Sequence, residues 1–189
     1  GVDYVVQGEG DPIQHLIDEW RYHDLTVFGL RGLFEYRLVP EPEHALNRLV
    51  ASGVRPILAV AEQHREIRRT LVATSGSLSS AKVLKRYLQM RLWPEAELHL
   101  VHFGDRDDPG MRRHLERTAD YCVAHGATVA ATAVVAGHPR SDLLAHAAGI
   151  DADLIVMGDS AHSLLSRTLF GDTALHLVQH ADRPLFLSH

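Results

Sequence analysis

Hydrophobic and polar positions along this chain follow two alternating periods. Leu71-Val72-Ala73-Thr74 is a short apolar run closed by Ser75-Gly76-Ser77, after which Ala81, Leu84, Tyr87 and Leu88 recur at the spacing of one helix face. The pattern predicts a strand, a tight turn and a helix with serines to cap it. Leu98 to Phe103 reads as the next strand. An acidic stretch through Asp105, Asp107 and Asp108 reads as a solvated, mobile loop, and the helix after it carries Met111, Leu115, Ala119 and Cys122 and stops at Gly126. Thr128 to Val135 is rich in β-branched residues and predicts a third strand. A short helix over 141–148, a strand over 154–157, a last helix over 173–180 and a final strand over 184–187 complete this part.

Upstream, the same logic predicts a strand at 4–6, a helix at 13–20, a strand at 25–28, a helix at 44–50 and a strand at 56–60. Strands alternating with helices imply an α/β fold, a doubly wound parallel sheet with helices on both faces and right-handed crossovers. In such a sheet, ligands sit beyond the carboxyl ends of the strands, where the winding reverses.

The chain also repeats itself. Asp24-Leu25-Thr26-Val27-Phe28-Gly29 returns 129 positions later as Asp153-Leu154-Ile155-Val156-Met157-Gly158, and Ala45-Leu46 returns at Ala174-Leu175 with the same shift. With small adjustments, Arg55-Pro56-Ile57-Leu58 matches Arg183-Pro184-Leu185-Phe186, and Gly10-Asp11-Pro12 matches Gly137-His138-Pro139. A shift of this length exceeds any solenoid period and equals a domain, so the expectation is two tandem copies of one unit. Residues 1–62 would be the C-terminal half of the first copy, 63–69 a linker holding the basic run Arg65, Arg68 and Arg69, and 70–189 the complete second copy. If the copies are of equal size, about 60 to 70 residues precede Gly1, which then marks a cut in a longer chain.

Composition narrows the class. The 189 residues are 46% hydrophobic and 23% charged, with no apolar run long enough to span a membrane. A net charge of −5 argues against nucleic acid as a partner. The single Cys122 falls on the apolar side of its helix and reads as a buried, reduced thiol, which fits the cytoplasm. Both tryptophans, Trp20 and Trp93, read as packing residues.

The chemistry concentrates after the fourth strand of the second copy, where Gly158-Asp159-Ser160-Ala161 is followed by nine residues and then Gly171-Asp172-Thr173. A glycine at a strand end allows close backbone approach, and Gly171 opens a helix whose free N–H groups and positive dipole end suit an anion. This arrangement resembles the universal stress protein family, whose mark is Gly, two residues, Gly, nine residues, Gly and then Ser or Thr. The resemblance includes the opening Leu71 to Ser77 and the closing Asp182-Arg183-Pro184-Leu185-Phe186-Leu187. It implies an adenine-nucleotide alpha hydrolase-like fold, a role in stress response and, in members that bind ATP, a nucleotide site. Its positions here are Gly158, Ala161, Gly171, Asp172 and Thr173 for ribose and phosphates, with Ser75 and Phe103 for the base. The resemblance also implies dimer-like pairing through the last strands, here Pro56 to Val60 against Pro184 to Leu187, within one chain or between two. Both segments are apolar enough to need such a partner.

Three of these positions depart from the family mark. Ala161 adds a methyl where backbone approaches the ligand, at a cost of about 1 to 2 kcal/mol if positive φ is required. Asp172 would set a carboxylate beside the phosphates, a like-charge contact. Ser75 replaces an aspartate and its charge-assisted hydrogen bond of roughly 1.5 to 3 kcal/mol. Together, a loss of about 4 kcal/mol would weaken binding nearly a thousandfold. The expectation is a non-enzymatic binding module with a degenerate nucleotide site and no firm cofactor. The alternative is an ATP-binding protein in which Mg2+ bridges to Asp172. In the first copy, Pro42 and Glu43 stand at the downstream loop positions, and nucleotide binding there is not expected.

Other chemistries fit less well. Gly158-Asp159-Ser160 with His162 could suggest an esterase using Ser160, but the nucleophile elbow needs Gly where His162 stands. His176 and His180 lie i, i+4 and could chelate, yet no third ligand accompanies them. His99 and His102 fall on opposite strand faces. No phosphate-loop motif exists, and the only lysines, Lys82 and Lys85, stand away from any glycine-rich turn.

Overall fold

The computed structural model describes residues 10–30, 41–54, 56–158 and 172–188. Among these residues, seven strands alternate with six α-helices: α1 (Pro12–Glu19), β1 (Thr26–Gly29), α2 (Pro42–Ala51), β2 (Ile57–Val60), β3 (Arg69–Ala73), α3 (Leu78–Met90), β4 (Glu97–Phe103), α4 (Pro109–Ala124), β5 (Thr128–Val135), α5 (Pro139–Gly149), β6 (Leu154–Gly158), α6 (Asp172–His180) and β7 (Leu185–Ser188). The expected strand at 4–6 lies outside the described residues.

Local chemistry sets the helix starts. Asp11, Ser77 and Asp108 accept hydrogen bonds from first-turn N–H groups of α1, α3 and α4, and proline opens α1, α4 and α5, where its missing N–H costs nothing. The acidic stretch before α4 is thus more structured than the solvated loop expected from sequence. Asp108 caps the helix, the Asp105 side chain accepts from the Asp107 N–H, and Asp107 lies 3.5 Å from Arg112. At α5, the His138 ring accepts from the Arg140 N–H while the Asp142 carboxylate accepts from the His138 N–H at 2.7 Å. That last bond holds the Asp142 carboxyl below its ordinary pKa.

The seven described strands join one sheet in the order β1-β2-β7-β6-β3-β4-β5, and every neighbour is parallel except β2 with β7. The mostly parallel α/β sheet agrees with the alternation read from the sequence. From β3 the chain steps outward to β4 and β5 on one side, while β6 lies on the other, so the winding reverses between β3 and β6.

Two apolar layers sandwich the sheet. Ile57, Ala59, Leu71, Val101, Ile155, Met157, Leu185 and Leu187 share one core with Ile13, Leu49, Leu143 and Leu177 of α1, α2, α5 and α6. Leu58, Val72, Leu98, Leu100, Leu154, Val156 and Phe186 share the other with Val83, Leu84, Leu115 and Cys122 of α3 and α4. Burial pushes the Cys122 thiol up to about 11, so it is neutral and inert in the folded chain. Trp20 and Trp93 pack against these cores, as expected.

Two stretches have matching geometry. Thr26, Val27, Phe28 and Gly29 lie opposite Ile57, Leu58, Ala59 and Val60, and Ile155, Val156, Met157 and Gly158 lie opposite Leu185, Phe186, Leu187 and Ser188. The 129-position shift carries each residue of β1 onto one of β6, and the register is conserved with it. Across the antiparallel junction, Leu58 faces Phe186, while Ile57 faces Leu187 and Ala59 faces Leu185. The sequence-equivalent pair Leu58 and Phe186 therefore sits at the centre of a local twofold.

The basic run between the two stretches differs from the solvated linker expected of it. Arg69 opens β3 and its guanidinium donates to the Ile150 carbonyl, while the Asp153 carboxylate accepts from the backbone N–H groups of both Arg68 and Arg69 at 3.0 and 2.9 Å. Arg65 lies 3.8 Å from Asp182. Only Arg68 projects into solvent, paired with Glu66.

Candidate functional site

Where the winding reverses, the carboxyl ends of β3, β4 and β6 open into a crevice against the N-termini of α3, α5 and α6. Its walls are Ala73, Thr74, Ser75, Ser77, Ser79, Ser80, Val101, His102, Phe103, Pro139, Leu143, Met157, Gly158 and Thr173. Four residues expected from sequence, Ser75, Phe103, Gly158 and Thr173, are brought together here. Asp172 stands beside them, exposed, as the first residue of α6. Ala161, Gly171 and the esterase candidates Ser160 and His162 lie outside the described residues.

A chain of hydroxyl groups builds the β3–α3 side. Ser75 donates to the Ser77 hydroxyl at 2.9 Å, Thr74 donates to Ser80 at 3.1 Å, and Ser80 donates to the Ser77 carbonyl at 2.9 Å. The Ser77 hydroxyl also accepts from the Ser80 N–H, the cap that starts α3. Gly76 turns the chain with φ +75°, which only glycine adopts without strain.

Gly158 is close-packed against helix α3. A Cβ there would lie 3.2 Å from the backbone of Ser79 and Ser80, so the glycine lets the end of β6 touch the first turn of the helix. Phe103 is buried at the end of β4 and meets the His146 ring edge-on at 5.7 Å, presenting an apolar surface to the crevice.

His102 is fixed by one bond. Its Nδ1 lies 2.9 Å from the Thr74 carbonyl oxygen, which can only accept, so Nδ1 carries the proton and donates. Among the described residues, no serine hydroxyl bonds to this imidazole, and no Ser–His pair of the kind that activates a nucleophile exists.

Among the described residues the crevice holds no carboxylate, guanidinium or ammonium: its lining is six hydroxyl side chains, one imidazole and an apolar back wall. Such a surface can hydrogen-bond a sugar or an anion through hydroxyls and the free N–H groups of a helix start, but it places no fixed charge against a ligand. The nearest charges sit at its rim, where the Asp172 carboxylate is 4.0 Å from the Arg140 guanidinium at the start of α5. Sequence reasoning missed Thr74, Ser79, Ser80, His102 and Arg140. The serines were legible as capping residues, but nothing in the linear pattern brings Arg140 beside Asp172.

The histidine pair at 176 and 180 is stacked, with ring centroids 4.3 Å apart, and His180 Nδ1 donates to the His176 carbonyl at 2.8 Å. Among the described residues no group of three metal-ligating side chains forms. His99 faces α5 and His102 the opposite side of β4, as the strand period requires. No described helix is long and apolar enough to cross a membrane.

Universal stress protein Slr1230 of Synechocystis sp. is 24% identical over 163 residues, covering 86% of this chain and 56% of its own length. The chain thus spans little more than half of that relative. A universal stress protein from Archaeoglobus fulgidus superposes with a TM-score of 0.69 at 23% identity, over 94% of this chain and 65% of that one. A universal stress protein in complex with cAMP superposes at 0.57 and 23% identity, over 66% of this chain and 98% of that one. At these identities the superpositions speak for a shared fold. The family model for universal stress proteins matches residues 66–189, which hold strands β3 to β7 and the crevice, and the chain belongs to the universal stress protein family.

Proposed function

We propose that this chain acts as a non-enzymatic binding and regulatory module of the stress response, with a weakened nucleotide site in the crevice at the ends of β3, β4 and β6. The observation that carries this reading is a crevice lined, among the described residues, without a carboxylate, guanidinium or ammonium. Ser75 stands where the family places a carboxylate for the base and spends its proton on Ser77, so no charged acceptor awaits an adenine amino group. Calorimetric titration with Mg-ATP is expected to show no saturable binding at micromolar ATP, and saturable micromolar binding would overturn the weakened-site reading.

A second reading has a specific observation behind it. Arg140 lies close enough to Asp172 to offset the charge that would repel phosphates, which supports nucleotide binding through the loop from Gly158 to Thr173. A nucleotide with a single phosphate is the gentler test of this reading, and one relative of the same fold was solved with cAMP. Titration with cAMP in parallel with ATP separates the two: cAMP binding that Arg140→Gln abolishes favours the second reading.

We further infer that residues before β3 are the later half of a second, homologous unit and that the β2–β7 junction acts as an internal dimer contact. The equal registers of β1–β2 and β6–β7 support this. The buried, unpaired Cys122 supports a reducing, cytoplasmic setting.

A further inference from the structure

On the opposite side of Thr74 from the crevice, a cleft runs between α3 and α4. Lys85 reaches it from α3, and Arg113, His114, Arg117, Thr118 and Tyr121 reach it from α4. Arg113, Arg117 and Tyr121 follow at four-residue intervals, so one face of α4 presents them as a column. Its upper end is closed by the β3–α3 turn, where a Cβ on Gly76 would come within 3.2 Å of Met111 and 3.8 Å of His114.

The charges here are unbalanced. No carboxylate lines the cleft among the described residues, and neither Arg113, Arg117 nor Lys85 forms an ion pair there. Arg112, one position along the same helix but outside the cleft, shows the usual alternative: it pairs with Asp107 and donates twice to the Arg106 carbonyl. Lys85 instead sits with its ammonium 5.6 Å from the Tyr121 ring centroid. On a chain of net charge −5, a recess holding three uncompensated cations and an imidazole concentrates positive potential against the overall balance. Two guanidiniums one helical turn apart match the oxygens of phosphoryl groups, which arginine grips through paired N–H donors.

We propose that the α3–α4 cleft binds a small phosphorylated anion, held by Arg113 and Arg117 with Lys85 as the third positive charge. This site is separate from the strand-end crevice and does not depend on the nucleotide reading of that crevice.

Inorganic pyrophosphate is the probe, titrated calorimetrically into the full chain at about 50 mM salt, where surface charges are only partly screened. The expected result is saturable one-to-one binding, weakened at least about tenfold when Arg113→Gln and Arg117→Gln are combined and less by Lys85→Gln. Glu116→Gln, on α4 outside the cleft, is expected to leave binding intact or slightly tighter, and Thr173→Val, in the crevice, to leave it unchanged. Binding that Thr173→Val removes and the arginine pair does not, or no saturable binding up to about 1 mM pyrophosphate, overturns the proposal. If the double variant does not fold, amide shifts of the wild-type chain decide. Changes centred on residues 113–121 support the cleft, and changes centred on 75–80 and 173 overturn it.

Discussion

The β1–β2 and β6–β7 segments share strand register and lie on either side of one antiparallel junction, yet they are clothed differently. On one face, α1 and α2 cover β1 and β2 much as α5 and α6 cover β6 and β7: Ala45 and Leu49 are as buried as Ala174 and Val178. On the other face, α3 and α4 lie over β3, β4, β6 and β7, and among the described residues no helix packs in the same way over β1. Val156 is fully buried, whereas its sequence counterpart Val27 is 52% exposed. Equivalent valines of one repeated strand pattern are therefore core in one place and surface in the other. Burial is a property of what packs on a strand, and identical patterns do not guarantee identical energetics.

The largest expected break in this comparison is at the junction. Phe186 is fully buried and meets Tyr87 edge-on at 5.5 Å, so Phe186→Ala should cost about 3 to 5 kcal/mol in urea denaturation. Its counterpart Leu58, 8% exposed and at the rim of the same core, should cost less, about 2 to 3 kcal/mol as Leu58→Ala. Equal losses would mean that the two sides of the junction are packed alike.

Next comes the pair that defines the contrast. Val156→Ala should destabilise by about 2 kcal/mol through two lost methyl groups and the cavity they leave, and Val27→Ala by less than about 0.5 kcal/mol. A comparable cost at both positions would show that β1 is covered in solution.

The aspartates that open the two repeats sharpen the point. Asp153 accepts the N–H groups of Arg68 and Arg69, and Asp153→Ala leaves a half-buried donor unpaired, at a cost of about 1 to 2 kcal/mol. Asp24, its counterpart, has a side chain 96% exposed beside Arg86, and Asp24→Ala should be neutral within about 0.5 kcal/mol. Thermal melts of the two variants test the difference.

The smallest effect is expected at the helix starts. Asp11 caps α1 and is held below its ordinary pKa chiefly by the hydrogen bond from Arg48, whereas its counterpart His138 caps α5 through a ring nitrogen. A lowered folded-state pKa means that the stabilising contribution of Asp11 is present at neutral pH and is lost as pH falls through that value, below the ordinary aspartate range. Asp11→Asn should flatten the acid limb of the stability profile slightly, and an unchanged limb would show the cap to be silent.

Much of this was legible in the linear sequence. The strands expected over 71–74, 98–103 and 128–135 follow from apolar runs between glycine and polar breakers, the first running from Arg69 to Ala73 in the structure, and α3 and α4 follow from three- and four-residue spacing with serine or aspartate ahead of them. The repeat pointed to equivalent strands. Of the expected ligand residues, Ser75, Phe103, Gly158 and Thr173 do line one crevice, because the strand ends of a reversing sheet converge there. Arg69 was misread as linker because its guanidinium finds the Ile150 carbonyl only after β3 and α5 pack together. Asp108 looked like one more surface acid because a cap differs from a solvated carboxylate only in the backbone that follows it.

Periodicity and turn chemistry, which act over a few residues, determined the elements, their order and the duplication of one strand-and-helix pattern. Contacts between residues far apart in sequence decided the rest: that Val156 is core and Val27 surface, that Arg140 stands beside Asp172, and that Lys85 shares a cleft with Arg113 and Arg117. A side chain's local preference is written in its neighbours along the chain, whereas its dielectric surroundings and partners are set by whichever helix the sheet brings over it.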